Sequence, residues 1–168
     1  MDEDNVQLVA CIPRLRRYAR ALVGHREGAD DLVQDTMERG WSKLSSWRRG
    51  SDMRAWLFGI MHNLWVDQAR KGKMITEEWN EHTPEPTSIS VHLDRLEVRD
   101  LEAALRLLPV EQREILLLVA LEEMTYEEIA STLRIPIGTV MSRLARGRER
   151  LRNLMEGRPV ASPLKVVK

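Results

Sequence analysis

Apolar residues recur at helical spacing in two blocks of this chain, and between the blocks the pattern stops. In the first block, Leu8, Ile12, Leu15, Ala19 and Leu22 fall three or four apart until Gly24 ends the run. A second helix is expected over about 27–44, with Ala29, Leu32, Val33, Thr36, Met37, Gly40, Trp41 and Leu44 on one stripe. "SSWRRGSD", residues 45–52, reads as a loop. "MRAWLFGIMHNLWVDQARK" reads as a third helix with Trp56, Leu57, Ile60, Met61 and Leu64 inward. The stretch after Lys71 holds Pro84 and Pro86, several Ser and Thr and no sustained period, which is the character of a flexible linker. In the second block, Leu96, Leu101, Leu105 and Leu108 mark a helix that Pro109 ends. "EQREILLLVALEE" marks another, with Ile115, Leu116 and Val119 inward. The expected fold class is therefore all-α, with two small helical domains at 1–71 and 96–155, a linker at 72–95 and a loose tail at 156–168. The 9 Gly and 7 Pro are too few and too bunched for a strand-rich chain of 168 residues.

The formal net charge is zero, but the charge is sorted along the chain. Residues 134–152 contain six arginines and one glutamate, whereas residues 72–100 carry seven acidic and three basic residues. Cys11 is the only cysteine, so no internal disulfide forms and no oxidising compartment is implied. The acidic N-terminus does not read as a signal peptide, and no run reaches the ~18 apolar residues of a membrane span. A cytoplasmic protein with no membrane span of its own is expected.

The basic segment lies at the end of "TYEEIASTLRIPIGTVMSRLARGRERL", residues 125–151. Thr125 and Glu128 form a capping-box pattern that starts a short helix with Ile129, Ala130 and Leu133 inward. "RIPIG" turns the chain, and a longer helix follows with Val140, Leu144, Leu151 and Leu154 buried. At about 100° per residue, the face away from Val140 carries Ser142, Ala145 and Arg146. Thr139 and Arg143 lie on one flank and Met141 on the other. A short helix, a turn and a second helix with a small, hydroxylated and cationic outer face make a helix-turn-helix. Arg in a major groove can hold guanine with two hydrogen bonds, while arginines farther along suit phosphates. The plainer reading is an amphipathic pair with a solvated basic face. Glu122, Glu123, Glu127 and Glu128 are expected on or before the supporting helix, away from this surface.

Three stretches, "EGADDLVQDTMERGWSKLSSW", "MRAWLFGIMHNLWVDQARK" and "LPVEQREILLLVALEEMTYEEIASTLRIPIGTVMSRLARGRERL", occur in this order. With them the chain closely resembles the extracytoplasmic-function sigma factors over about residues 8–155. The resemblance implies a bacterial transcription-initiation protein, not an enzyme, that lends promoter recognition to RNA polymerase core. It implies that Asp31, Gln34, Asp35, Glu38, Arg39 and Trp41 dock on the clamp helices of the largest (β′) subunit. It implies that Trp47, Arg48 and Arg49 in the loop, with Asn63 on the following helix, melt and read the −10 promoter element. A melted base can be stacked on an aromatic ring and paired by an amide that both donates and accepts. It places Thr139, Met141, Ser142, Arg143, Ala145 and Arg146 on the −35 element. Met141 departs from the Lys or Arg common in the family, and removes one polar contact there. An anti-sigma factor, soluble or membrane-anchored, is the further partner implied.

No cofactor is called for. His25, His62, His82 and His92 show no metal spacing with Cys11 or with one another, and no phosphate-cradling glycine motif is present. The alternative function is a sigma-like decoy that captures an anti-sigma factor without binding DNA. A decoy has no need of the basic helix and melting loop that this chain keeps.

Overall fold

The structure, a computed structural model, describes residues 2–79 and 98–157, with side chains for 2–71 and 100–157. All the regular structure among these residues is helical. The first half holds α1 (Glu3–Ala10), α2 (Ile12–Val23), α3 (Arg26–Ser42) and α4 (Met53–Trp79). The second holds α5 (Val98–Leu107), α6 (Val110–Ala120), α7 (Tyr126–Leu133) and α8 (Ile137–Met155).

The single helix expected across Leu8–Leu22 is two. Pro13 sits in the first turn of α2, where a missing N–H does no harm, and the chain breaks at Cys11 just before it. Gly24 ends α2 at φ 85°, a left-handed position that favours glycine. The His25 side chain then caps α3 by accepting a 3.1 Å bond from the Gly28 amide. Asp52 caps α4 by accepting from the amides of Arg54 and Ala55. The α4 backbone runs to Trp79, into the stretch expected to be linker. Gly72 alone costs a helix only about 1 kcal/mol, and no proline follows until Pro84. The rest of the expected linker, Leu96, and the expected tail from residue 158 lie outside the described residues.

Leu8, Leu15, Leu22, Leu32, Leu57 and Met61 are fully buried in the first half. Tyr18 and Phe58 meet edge to face at 4.9 Å between ring centres. The second half buries Ile115, Leu118, Ile129, Val140 and Leu144. These residues join one continuous apolar core, because α2 packs against α6 and α4 against α7. Two stripe assignments change. Trp41 is 56% exposed and Leu101 is 39% exposed, so each lies on the outer edge of its helix.

Candidate nucleic-acid and polymerase interfaces

The helix-turn-helix forms from local signals. The Thr125 side chain accepts from the Glu128 amide at 3.1 Å, and the Glu128 carboxylate accepts from the Thr125 amide at 2.9 Å. Arg134 ends α7 at φ 56°, a left-handed position rarely taken by a non-glycine residue. Its amide bonds to the Ala130 carbonyl, which closes the turn. Pro136 precedes α8, and Val140 and Leu144 seat that helix on the core. Gly147 lets α8 pass close over α6, since a Cβ there would lie 3.1 Å from Leu116 Cδ1.

The first three turns of α8 leave Met141, Ser142, Ala145 and Arg146 exposed, with Thr139 and Arg143 half-buried at the edge. No carboxylate among the described residues pairs with Arg143 or Arg146. The six positions expected to read the distal element thus share one accessible surface. Met141, at 49% exposure, is the large apolar group on it.

On α3, Asp31, Gln34, Asp35, Glu38, Arg39 and Trp41 are all exposed along one outer side. Gln34 donates to Glu38 at 3.3 Å, and Gln68 of α4 donates to Asp35 at 3.4 Å. This is a mixed-charge surface, three carboxylates against one guanidinium, with an unburied indole at its end.

The loop between α3 and α4 divides. Arg48 and Arg49 are exposed, but Trp47 is 7% exposed and belongs to the core. The expectation that Trp47 is presented for base stacking does not fit this placement: a turn of 3-10 helix at Leu44–Ser46 tucks the indole inward. Arg49 is held by Asp4 of α1 at 3.0 Å, an ion pair with no signature in the local sequence. Asn63 is exposed on α4 and lines a cleft of about 470 Å³ with Trp56, Ser131, Thr132 and Arg134. One wall of this cleft is α4 and the other is α7.

The acidic residues before α7 also divide. Glu123, Glu127 and Glu128 are at the surface, but Glu122 is 1% exposed. Its carboxylate faces Arg14, Arg17 and Arg54 of the first half at 3.7, 3.5 and 3.6 Å. Burial pushes the Glu122 carboxyl above the ordinary range, and the three arginines oppose that shift. Arg113 of α6 is 8% exposed and donates to four carbonyls, three of them around the α5–α6 corner and one at Leu22. Burial lowers its guanidinium below the usual value. Periodicity could not single out either residue, because their partners lie far away in the chain.

Among the described residues, no three His, Cys, Asp or Glu side chains gather as a metal cluster, and no helix is long and apolar enough to cross a membrane.

Both halves match known families. Residues 8–62 fit the Sigma2 domain of PhyR, and residues 99–151 fit sigma-70, region 4. The ECF RNA polymerase sigma factor EcfG of Rhodopseudomonas palustris is 36% identical over 149 residues, spanning 88% of this chain and 82% of that protein. SigW of Bacillus subtilis is 28% identical over 148 residues, 78% of this chain and 77% of SigW. Among solved structures, the sigma factor RpoE of Bartonella quintana, crystallised with the anti-sigma factor NepR, matches with a TM-score of 0.79 at 32% identity. That match covers 93% of this chain and 98% of RpoE. With a relative this similar along most of both lengths, and with a match in each half, the chain belongs to the family of ECF RNA polymerase sigma factors.

Proposed function

We propose that this chain is an alternative sigma factor that binds RNA polymerase core, directs it to a class of promoters and is restrained by an anti-sigma factor. The observation that carries the reading is the outer face of α8. It is an accessible, cationic helix surface seated on a helix-turn-helix, and no carboxylate among the described residues forms an ion pair with its Arg143 or Arg146. Thr139, Met141, Ser142, Arg143, Ala145 and Arg146 read the −35 element in the major groove. Arg148, Arg150 and Arg152 are placed for phosphates. Arg48, Arg49 and Asn63 act on the melted −10 element, with Trp47 as the buried root of the loop. The mixed-charge side of α3, from Asp31 to Trp41, docks on the β′ clamp helices. The anti-sigma partner is of the kind seen with the RpoE relative.

The decoy reading has one observation in its favour, the match of residues 8–62 to a domain named for PhyR. An anti-anti-sigma factor PhyR of Bartonella quintana, seen with NepR, shares the fold at a TM-score of 0.60 and 19% identity. Against it stand the 36% identity to a sigma factor and the open basic face of α8. Run-off transcription with core polymerase on genomic promoter fragments separates the two. A sigma factor starts transcripts at specific sites, and a chain that starts none while still capturing an anti-sigma factor is a decoy.

A further inference from the structure

We infer that Asp4, in the first turn of α1, is a specificity-determining positioning residue for the −10 element: it fixes the guanidinium of Arg49 so that the free edge of that group meets a base of the melted strand. The inference rests on the sigma-factor reading above and gives a role to α1, which that reading leaves unused.

The contact is directional. Arg49 donates from Nε to Asp4 Oδ2 at 3.0 Å, and its Nη2 lies 3.0 Å from the same oxygen. A guanidinium carries five N–H donors in a rigid fork. A carboxylate on the Nε–Nη2 edge therefore leaves Nη1 and the far N–H of Nη2 for another acceptor. The Asp4 side chain is 14% exposed and the Arg49 side chain 75% exposed. The carboxylate is the inner partner and the unused edge of the arginine is the outer one. Were Asp4 there to hide Arg49 from DNA, the arginine would be the enclosed member of the pair. An open guanidinium edge can hold two acceptors of a base, as arginine does with guanine.

The surrounding structure supports this aim. Ser51 donates its amide and its hydroxyl to the Arg48 carbonyl at 3.1 and 2.6 Å, and Gly50 turns the chain between them at φ 89°. The backbone of the arc is thus closed on itself. α1 is anchored, because Leu8 is fully buried and the helix packs on α2, α3 and α4. Among the described residues no carboxylate forms an ion pair with Arg48. One of the two loop arginines is held from outside the loop, and the other is not.

Charge decides what the held arginine meets. Asp2, Glu3 and Asp4 line a cavity of about 230 Å³ together with Trp47 and Arg49. Three carboxylates stand there against one guanidinium, so a phosphodiester is repelled. Salt screens charges only beyond about 8 Å at physiological ionic strength, so the repulsion acts across the cavity. A nucleobase is uncharged, and its ring nitrogens and carbonyls accept from a guanidinium. The acidic start of α1 admits a strand with its bases inward and its phosphates turned away.

The test is a double-mutant cycle in the holoenzyme. The probe is a promoter fragment found by the run-off assay, with its −10 segment held open by mismatches, compared with the same fragment carrying a scrambled −10 strand. Wild type should prefer the native strand. Asp4→Asn keeps the side-chain shape but gives up the charged acceptor, and should lower that preference by about fivefold, the upper end for an exposed ion pair. In an Arg49→Ala background the same change should leave the preference where Arg49→Ala alone puts it. A merely structural effect of Asp4 on α1 would persist in that background. Glu3→Gln removes a charge from the same helical turn without touching Arg49, and should keep the wild-type preference. The inference is overturned by an unchanged preference in Asp4→Asn, by an equal loss with and without Arg49, or by a wild-type holoenzyme that transcribes yet binds both strands alike. Tighter binding of the native strand by Asp4→Asn would also overturn it and make Asp4 a mask. A wild-type chain that starts no transcript at all would instead overturn the sigma-factor reading, and this inference with it.

Discussion

Arg113→Met should destabilise the protein by about 3 kcal/mol. Methionine keeps the apolar stem but removes the guanidinium that donates to Leu105, Arg106, Leu108 and Leu22 at 2.8, 2.9, 3.1 and 2.6 Å. The Leu105 and Arg106 carbonyls belong to the end of α5, where a helix leaves its last acceptors without partners. Leu105 keeps a bond from the Leu108 amide, while no backbone amide of a turn or loop reaches the other three carbonyls. A buried acceptor left unpaired costs about 1–3 kcal/mol. Part of the loss is offset because a desolvated cation is removed as well. A net of about 3 kcal/mol corresponds to a fall of about 6–12 °C in melting temperature at this size. Circular dichroism at 222 nm would follow the melt, with the exposed change Glu111→Gln as the control. An Arg113→Met variant melting within about 2 °C of wild type would refute the reasoning and show that the carbonyls find other donors.

Arg146→Ala should weaken promoter binding by about 1–3 kcal/mol through one base pair of the −35 element. A uniform loss across all sequences would mark Arg146 as a phosphate contact instead. Asn63→Ala should impair strand opening with the −35 contact intact, and permanganate footprinting of the open complex would show it; normal thymine reactivity would exclude the flipped-base role. Thr125→Ala breaks the capping box and should cost about 1 kcal/mol, read as a small drop in urea midpoint with the m-value unchanged. The Glu122 carboxyl is raised in the packed form, so that form takes up a proton more readily than the unfolded chain. Its contribution to stability grows as pH falls through the raised value toward the ordinary carboxylate range, and it is lost as pH rises. The melting temperature of wild type relative to Glu122→Gln should therefore rise as pH is lowered toward the ordinary carboxylate range, and a constant difference would contradict the assignment.

What could be read from the sequence was local. Thr125 and Glu128 are three apart, and both bonds of the box form as the spacing implies. Val140 and Leu144 are buried while Met141, Ser142 and Arg146 are exposed, because a helix turning at 3.6 residues fixes both faces at once. The misreadings came where a residue's fate depends on distant partners. Glu122 lies before α7 and away from the outer face of α8 as expected, but its burial was not legible, because the arginines that enclose it come from α2 and α4. Trp47 follows a pair of serines in an apparent loop, and nothing nearby signals that the first-half core has room for its ring. Pro13 is legible as a break but is outweighed by the apolar spacing on either side of it.

The buried Trp47 changes how the loop around it can meet DNA. A loop free at every residue would surrender much conformational entropy on closing over a single strand, of the order of 1–2 kcal/mol for each residue fixed. With the indole held in the core, and Asp52 fixed as the cap of α4, only residues 48–51 are left to settle. Most of the ordering has already been done by folding, so on the proposed function the arginines at 48 and 49 would meet a melted strand from a short, tethered arc. On that proposal, Trp47→Leu would loosen the arc and slow strand capture while leaving Arg48 and Arg49 in place.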